Sequence, residues 1–142
     1  MAFKLEDDLG FLMARTHRAM RQALMSRLEP LGITYRQFQV LNALCEADDV
    51  SQIGLADRVN MDQTSLARML ARIEEAGLID RAQDPSDFRV NRITLTDKGR
   101  HLALQVAPLR ERVLARATGG LSEKEVAELK RLLNKIYRDA SS

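Results

Sequence analysis

Gln63, Thr64, Ser65, Arg68 and Arg72 fall on one side of a segment whose other side, Leu66, Met69, Leu70 and Ile73, repeats at the i, i+3, i+4, i+7 spacing of an amphipathic helix. The amide and hydroxyl groups near its start offer donors and acceptors to base edges. An arginine one turn later can bond both acceptors of a guanine or clamp a phosphate. A second pair of cations, Arg89 and Arg92, flanks the turn-rich run Asp84, Pro85, Ser86 and Asp87 further along. The helix face has a plainer reading too, because Arg, Thr and Ser are ordinary residues of a solvated surface. Its surroundings decide between the two.

Those surroundings are Ser51 to Gly77 and the hairpin that follows. SQIGLADRV reads as a short helix with apolar or small residues at Ile53, Leu55, Ala56 and Val59, and Ala56 is compact enough for a second helix to cross closely. A tight corner follows at Asn60 and Met61. Two helices joined this way form a helix-turn-helix, whose second helix can lie in the DNA major groove with its N-terminal residues against base edges. After Gly77, suited to a helix C-cap, LIDRA reads as one strand. NRITL reads as another, with Asn91, Ile93 and Leu95 alternating against Arg92 and Thr94. The turn residues between them close a β-hairpin with a basic tip. Helix-turn-helix plus hairpin is a winged helix, and an arginine near the tip can enter the minor groove. Asp87, repelled by phosphates, is expected to orient a neighbouring arginine, a role compatible with that of a simple turn residue.

The runs LGITYRQFQVLNAL and VSQIGLADRVNMDQTSLARMLARIEEAGLIDRAQDPSDFRVNRITLTDKG resemble the MarR family of bacterial winged-helix transcription regulators over about the middle half of the chain. The specific parts are TSLARMLARIEEAGLI, the wing phrase DPSDFR with its Asp-x-Arg at Asp87 and Arg89, and the closing ITLTDKG. The resemblance implies a homodimer that binds pseudo-palindromic double-stranded DNA, usually as a repressor, and often releases it when a small molecule or oxidant binds. One position departs from the pattern. The family wing commonly reads Asp-Arg-Arg, and here Phe88 stands in the middle, so one basic group is missing.

The chain totals fit this picture without dictating it. A length of 142 residues suits one domain, and a formal charge of +2 would not by itself suggest nucleic acid; the placement of the charge is what matters. A single cysteine excludes an internal disulfide framework and fits a reducing compartment. No apolar run reaches the length of a membrane span and the N-terminus lacks a signal-peptide core, so a cytoplasmic protein without membrane contact is expected.

The remaining elements must hold the winged helix and its partner copy. Leu5 to Leu28 forms one long helical pattern, through Leu9, Leu12, Thr16, Met20 and Leu24, with Phe11 and Met13 widening the stripe. It either covers its own domain or buries its surplus apolar surface against a second chain. Pro30 ends it. Thr34 and Gln37 have capping-box spacing for a helix from Tyr35 to about Glu46, with Phe38, Val40, Leu41 and Leu44 inward. Asp48 and Asp49 lead into Val50, read as a short third strand. Thr96 caps a helix with a stripe of Leu102, Val106, Leu109 and Val113, kinked at Pro108. After Gly119 and Gly120, Ser122 and Glu125 cap a last helix with Val126, Leu129, Leu133 and Ile136 along one side. The expected fold is mainly α with a small β-wing. A winged helix-turn-helix lobe at about 34–99 sits between dimerisation helices at about 4–28 and 97–139, in one domain spanning 1–142. Two recognition helices about one DNA turn apart, roughly 34 Å, would read an inverted repeat.

In the resembled family, small phenolic or aromatic carboxylate ligands bind between the dimerisation helices and the winged helix, which brings Arg15, His17, Tyr35 and Arg36 forward as effector contacts. Each also suits a solvated or structural role. Cys45, beside Leu44, reads as a small buried hydrophobe; peroxide sensors of the family carry their cysteine near the start of the first long helix, where this chain has none. His17, His101 and Cys45 lack a nucleophile motif, a phosphate loop or metal-ligand spacing, so neither an enzyme nor a cofactor or metal site is expected. The rival reading is a dimeric adaptor that uses a winged helix to bind protein. It would not need Arg68 and Arg89 together at groove-facing positions.

Overall fold

The structure is a computed structural model that describes residues 4–47 and 49–142. Its helices are α1 (Leu9–Leu28), α2 (Tyr35–Glu46), α3 (Gln52–Val59), α4 (Gln63–Glu75), α5 (Asp97–Ala117) and α6 (Glu123–Ala140). Its strands are β1 (Val50–Ser51), β2 (Ile79–Gln83) and β3 (Asn91–Leu95), an antiparallel sheet in the order β1-β3-β2. The fold is mainly helical with a small three-stranded wing. Asp48, read with Asp49 as the lead into β1, lies outside the described residues.

Local chemistry sets most of the helix ends. The Thr34 hydroxyl accepts from Gln37 N at 3.1 Å while the Gln37 side chain accepts from Thr34 N at 3.0 Å; Ser122 and Glu125 repeat this at the start of α6. Each box satisfies two backbone donors that a helix start leaves open. The long first pattern is split, in contrast to the continuous helix expected from Leu5. Leu5–Asp7 is a 3₁₀ turn, and α1 starts at Leu9 because extended Asp8 accepts from Phe11 N at 2.8 Å and caps it. At its other end α1 tightens into a 3₁₀ turn over Glu29–Leu31 that carries Pro30, and Gly32, at φ 69°, reverses the chain. α5 passes through Pro108 as one helix.

Two apolar clusters divide the interior. The first gathers Val40, Leu41 and Leu44 of α2, Leu55 of α3, Leu66, Leu70 and Ile73 of α4, and Ile79 and Ile93 of the sheet. This is the winged-helix core. The second joins Leu24 and Leu28 of α1, Ile33, Phe38 of α2, and Val106 and Val113 of α5. Leu102 packs against both and links them. The C-terminal half of α1 therefore covers its own chain, while Leu5 and Leu9 are exposed. On α6 no residue is buried, and the stripe expected to be covered leaves Leu129 and Leu133 open together with Leu132 and Tyr137.

The apolar residues of α3 divide between the core and the surface. Ile53 is 60% exposed, whereas Leu55, Ala56 and Val59 are buried. α3 is short and contacts the core along one narrow strip, which Leu55, Ala56 and Val59 already fill.

Candidate nucleic-acid interface

α4, the helix expected to read DNA, is capped by Asp62, whose carboxylate accepts from Ser65 N at 2.8 Å. That backbone hydrogen bond is the main reason the Asp62 carboxyl lies below its ordinary value. Before it, Asn60 adopts a left-handed φ of 53° and turns α3 into α4, a conformation asparagine tolerates better than most residues. Leu66, Leu70 and Ile73 anchor the inner side at zero exposure. Gln63, Thr64, Ser65, Arg68 and Arg72 are all exposed on the other sides. Among the described residues, the side chains of Gln63, Thr64, Arg68 and Arg72 have no hydrogen-bond or ion-pair partner.

The far end of α4 is closed by Gly77, as its C-cap reading expects, and by contacts from the start of α5 that the sequence did not reveal. Gly77, at φ 77°, lets Leu78 N donate back to Ile73 O at 3.1 Å and Gly77 N to Glu74 O at 2.9 Å, a Schellman closure. The Thr96 hydroxyl donates to Gly77 O at 2.6 Å and accepts from Gly99 N at 3.0 Å, and Lys98 Nζ donates to Ala76 O at 2.9 Å. At Gly99 a Cβ would lie 1.9 Å from Leu78 O, so only glycine admits this approach of α5 to the end of α4. The phrase TDKG thus welds the recognition helix to the helix that leads into the C-terminal lobe. The sequence marked these residues as a helix start and as part of the family resemblance, without their contact to the end of α4.

The wing follows, with β2 and β3 in register from Ile79 opposite Leu95 to Gln83 opposite Asn91. Its tip is closed by Asp84 N to Val90 O at 2.8 Å and by the Asp84 carboxylate, which accepts from Ser86 N at 2.8 Å. The Asp87 carboxylate accepts from Arg89 Nε at 3.1 Å and Arg89 Nη2 at 3.2 Å, a two-point grip that holds its carboxyl below the ordinary value. Arg89 remains 91% exposed while held. Arg92, the second cation flanking the tip, is held by acidic and carbonyl groups. Its Nε donates to Asp49 Oδ1 at 3.1 Å, its Nη2 reaches Asp49 O, and Asp84 lies 3.9 Å away. These contacts pin β3 to the approach of β1 and leave Arg92 less available to DNA than Arg68 or Arg72. Arg81, unnoticed in the sequence, grips Glu74 of α4 through Nε at 3.3 Å and Nη2 at 3.2 Å, tying the wing to the recognition helix.

A cleft opens away from this face. A cavity of about 190 Å³ between α1, α2 and α5 is lined by His17, Arg21, Tyr35, Phe38 and Arg110 among others. Tyr35, Phe38 and Arg110 also line a neighbouring cavity of about 390 Å³ that extends to Glu46 and Arg58. The His17 and Tyr35 rings meet edge to face with centroids 6.2 Å apart, and the Arg21 guanidinium lies 5.0 Å from the Tyr35 centroid. Of the four expected effector contacts, His17 and Tyr35 are brought together. Arg15 instead stacks on Phe11 at 5.3 Å, and Arg36 is exposed and lines neither cavity. The cations at the cleft are Arg21 and Arg110. Cys45 is half-buried against the winged-helix core.

No helix among the described residues is long and apolar enough to cross a membrane, and those residues contain no cluster of metal-ligating side chains.

The family profile that matches residues 31–89 is that of the MarR family. Solved structures match over nearly the whole chain. A mutant MarR from E. coli complexed with operator DNA is 31% identical over 90% of this chain and 92% of its own, with a TM-score of 0.84. CouR from Rhodococcus jostii RHA1 bound to p-coumaroyl-CoA is 31% identical over 95% of each chain, with a TM-score of 0.86. BpsR from Bordetella bronchiseptica, whose DNA binding is regulated by 6-hydroxynicotinic acid, is 25% identical over 96% of this chain and 98% of its own, with a TM-score of 0.88. The chain belongs to the MarR family of winged-helix transcriptional regulators.

Proposed function

We propose that the protein works as a homodimeric repressor that reads an inverted-repeat operator with two copies of α4 and releases it when a small aromatic ligand binds. The observation that carries the DNA-reading role is the recognition face. Gln63, Thr64, Arg68 and Arg72 are exposed without partners on a helix whose ends are both locked. Such a helix delivers donors in a fixed geometry, and only the side chains are left to order on binding. The uncovered apolar stripe of α6, with Leu129, Leu132 and Leu133, supports a second copy as its cover. That copy would come from the C2 symmetry expected of an inverted repeat.

The test is fluorescence anisotropy on the duplex upstream of the protein's own gene, against a scrambled duplex, over a salt series. Preferential binding is expected, and Arg68→Ala should cost about 1–3 kcal/mol and relax base preference. Undiminished affinity and selectivity in that variant would remove α4 from the reading role. Equal failure on every duplex at low salt would favour the adaptor reading.

Ligand release rests on the cleft beside Tyr35. Arg21 and Arg110 suit a carboxylate or phosphate, and Tyr35, Phe38 and His17 suit a flat ring. A ligand bridging α1 and α5 to α2 would meet Leu24, Phe38 and Val113 of the second cluster and, reaching into the neighbouring cavity, Ala43 and Val59 of the first, and so could shift the winged helix relative to the dimerisation helices. Calorimetric titration with a panel of aromatic acids that gives neither heat nor loss of DNA binding would exclude that ligand class.

A further inference from the structure

From Asp84 to Arg92 the wing tip carries two aspartates and two arginines, and so no formal net charge. Each arginine is bound by a carboxylate, Arg89 by Asp87 and Arg92 by Asp49. A neutral tip draws little on the long-range attraction of phosphates. Its most prominent group is apolar: Phe88, at 73%, is the most exposed large hydrophobic side chain among the described residues. An isolated exposed apolar side chain is common and by itself explains nothing. Here the backbone holds the ring outward, because Asp87 N donates to Asp84 O at 3.2 Å and Val90 N to Asp87 O at 2.9 Å, making Phe88 and Arg89 the crest of the turn. The crest is also held in a fixed relation to the recognition helix, through the Arg81 grip on Glu74.

We infer that Phe88 is a DNA-reading group of the wing, entering the minor groove as an apolar wedge against the deoxyribose walls while Arg89 follows with the N–H donors that Asp87 leaves uncommitted. The inference rests on the DNA-binding reading above and deepens it. A phenyl wedge gains from desolvation and from a groove that can open. The wing should therefore favour flanks with flexible pyrimidine–purine steps over stiff, narrow A-tracts, the reverse of the preference of an inserted arginine. It should also add affinity without adding counterion release.

The experiment selects operators from a randomised duplex pool with the 142-residue chain and then measures anisotropy over a salt series for Phe88→Ala, Phe88→Leu and Phe88→Arg. Because the ring is exposed, all three should melt with the parent. Phe88→Ala is expected to bind about tenfold more weakly, with the slope of log K against log salt unchanged. Phe88→Leu should recover most of the loss. Phe88→Arg should steepen the slope by about one unit and, on reselection, move the enriched flanks toward A·T-rich tracts. Parent-like affinity in Phe88→Ala would overturn the wedge and leave the ring to a protein surface, and so would a loss accompanied by a changed slope. If the unmodified chain enriched no sequence, the DNA-binding reading would fall and the wedge with it.

Discussion

On α4, Arg68 and Arg72 stand exposed with no carboxylate bound to them, whereas on the wing Arg89 and Arg92 are each held by an aspartate. The two regions sit side by side in the chain and are tied together by Arg81 and Glu74. A free guanidinium brings its whole charge to DNA but must give up rotamer freedom when it docks. A held one is already ordered, and its charge is balanced before DNA arrives. On the DNA-binding reading proposed above, the recognition helix would supply affinity, salt dependence and base choice, and the wing would supply shape. Both depend on the junction at Leu78 and Gly99, where the end of α4 meets the start of α5.

The largest expected effect comes from breaking that junction. Gly99→Ala places a methyl carbon 1.9 Å from a backbone oxygen, which no rotamer change can relieve. Overpacking of this kind costs about 3 kcal/mol, and because Thr96 and Lys98 hang on the same turn, the loss should reach both DNA-facing regions. Thermal melting should fall well below the parent, and DNA binding measured below the new transition should weaken on every sequence. A variant that melted with the parent would show that α5 can shift without cost, and the junction would not be what positions α4.

A smaller effect is expected from separating the two regions while leaving each intact. Arg81→Met removes the grip on Glu74 but keeps most of the apolar stem. The pair is part-exposed, so stability should change little. Operator affinity should drop several-fold, less than for Arg68→Ala, and the drop should vanish on a half-site duplex trimmed so that only the major groove under α4 remains. Equal losses on trimmed and full duplexes would mean that Arg81 acts through α4 alone.

How far these features could be read beforehand followed from how local their causes are. The ends of α2 and α6 were legible because a capping box is written in residues three apart, Thr34 with Gln37 and Ser122 with Glu125. The recognition face was legible because Leu66, Leu70 and Ile73 fix which side of α4 is buried. The hold of Asp49 on Arg92 was not legible because the two lie 43 residues apart, with no spacing rule to connect them. The Gly99 contact was invisible for the same reason, since its obstacle, the carbonyl of Leu78, comes from a different element. Which apolar residues of α3 turn inward was not legible, because eight residues hold too few turns to define a stripe. At the cleft the sequence offered four candidates and no means of choosing. His17 and Tyr35 meet only because α1 and α2 pack, which also brings in Arg21 and, from α5, Arg110.

The smallest expected effect tests whether the wing is pre-formed. Hydrogen bonds from Arg89 hold the Asp87 carboxyl below its ordinary value of 3.8. A depressed carboxyl means that the grip is fully present above 3.8 and is lost only as pH falls through the lowered value. Across the neutral range the wing should therefore not titrate, and the Arg89 Nε–H resonance in a nitrogen-labelled sample should hold its position until the solution becomes more acidic than that ordinary value. Asp87→Asn should move the resonance at every pH and add one positive charge to the tip. Non-specific DNA would then be bound slightly more tightly at low salt, and the operator would be favoured over it by a smaller margin. If Asp87→Asn left that margin unchanged, the grip on Arg89 would be a feature of the turn alone, and the contrast between a free recognition helix and a held wing would carry no consequence for reading DNA.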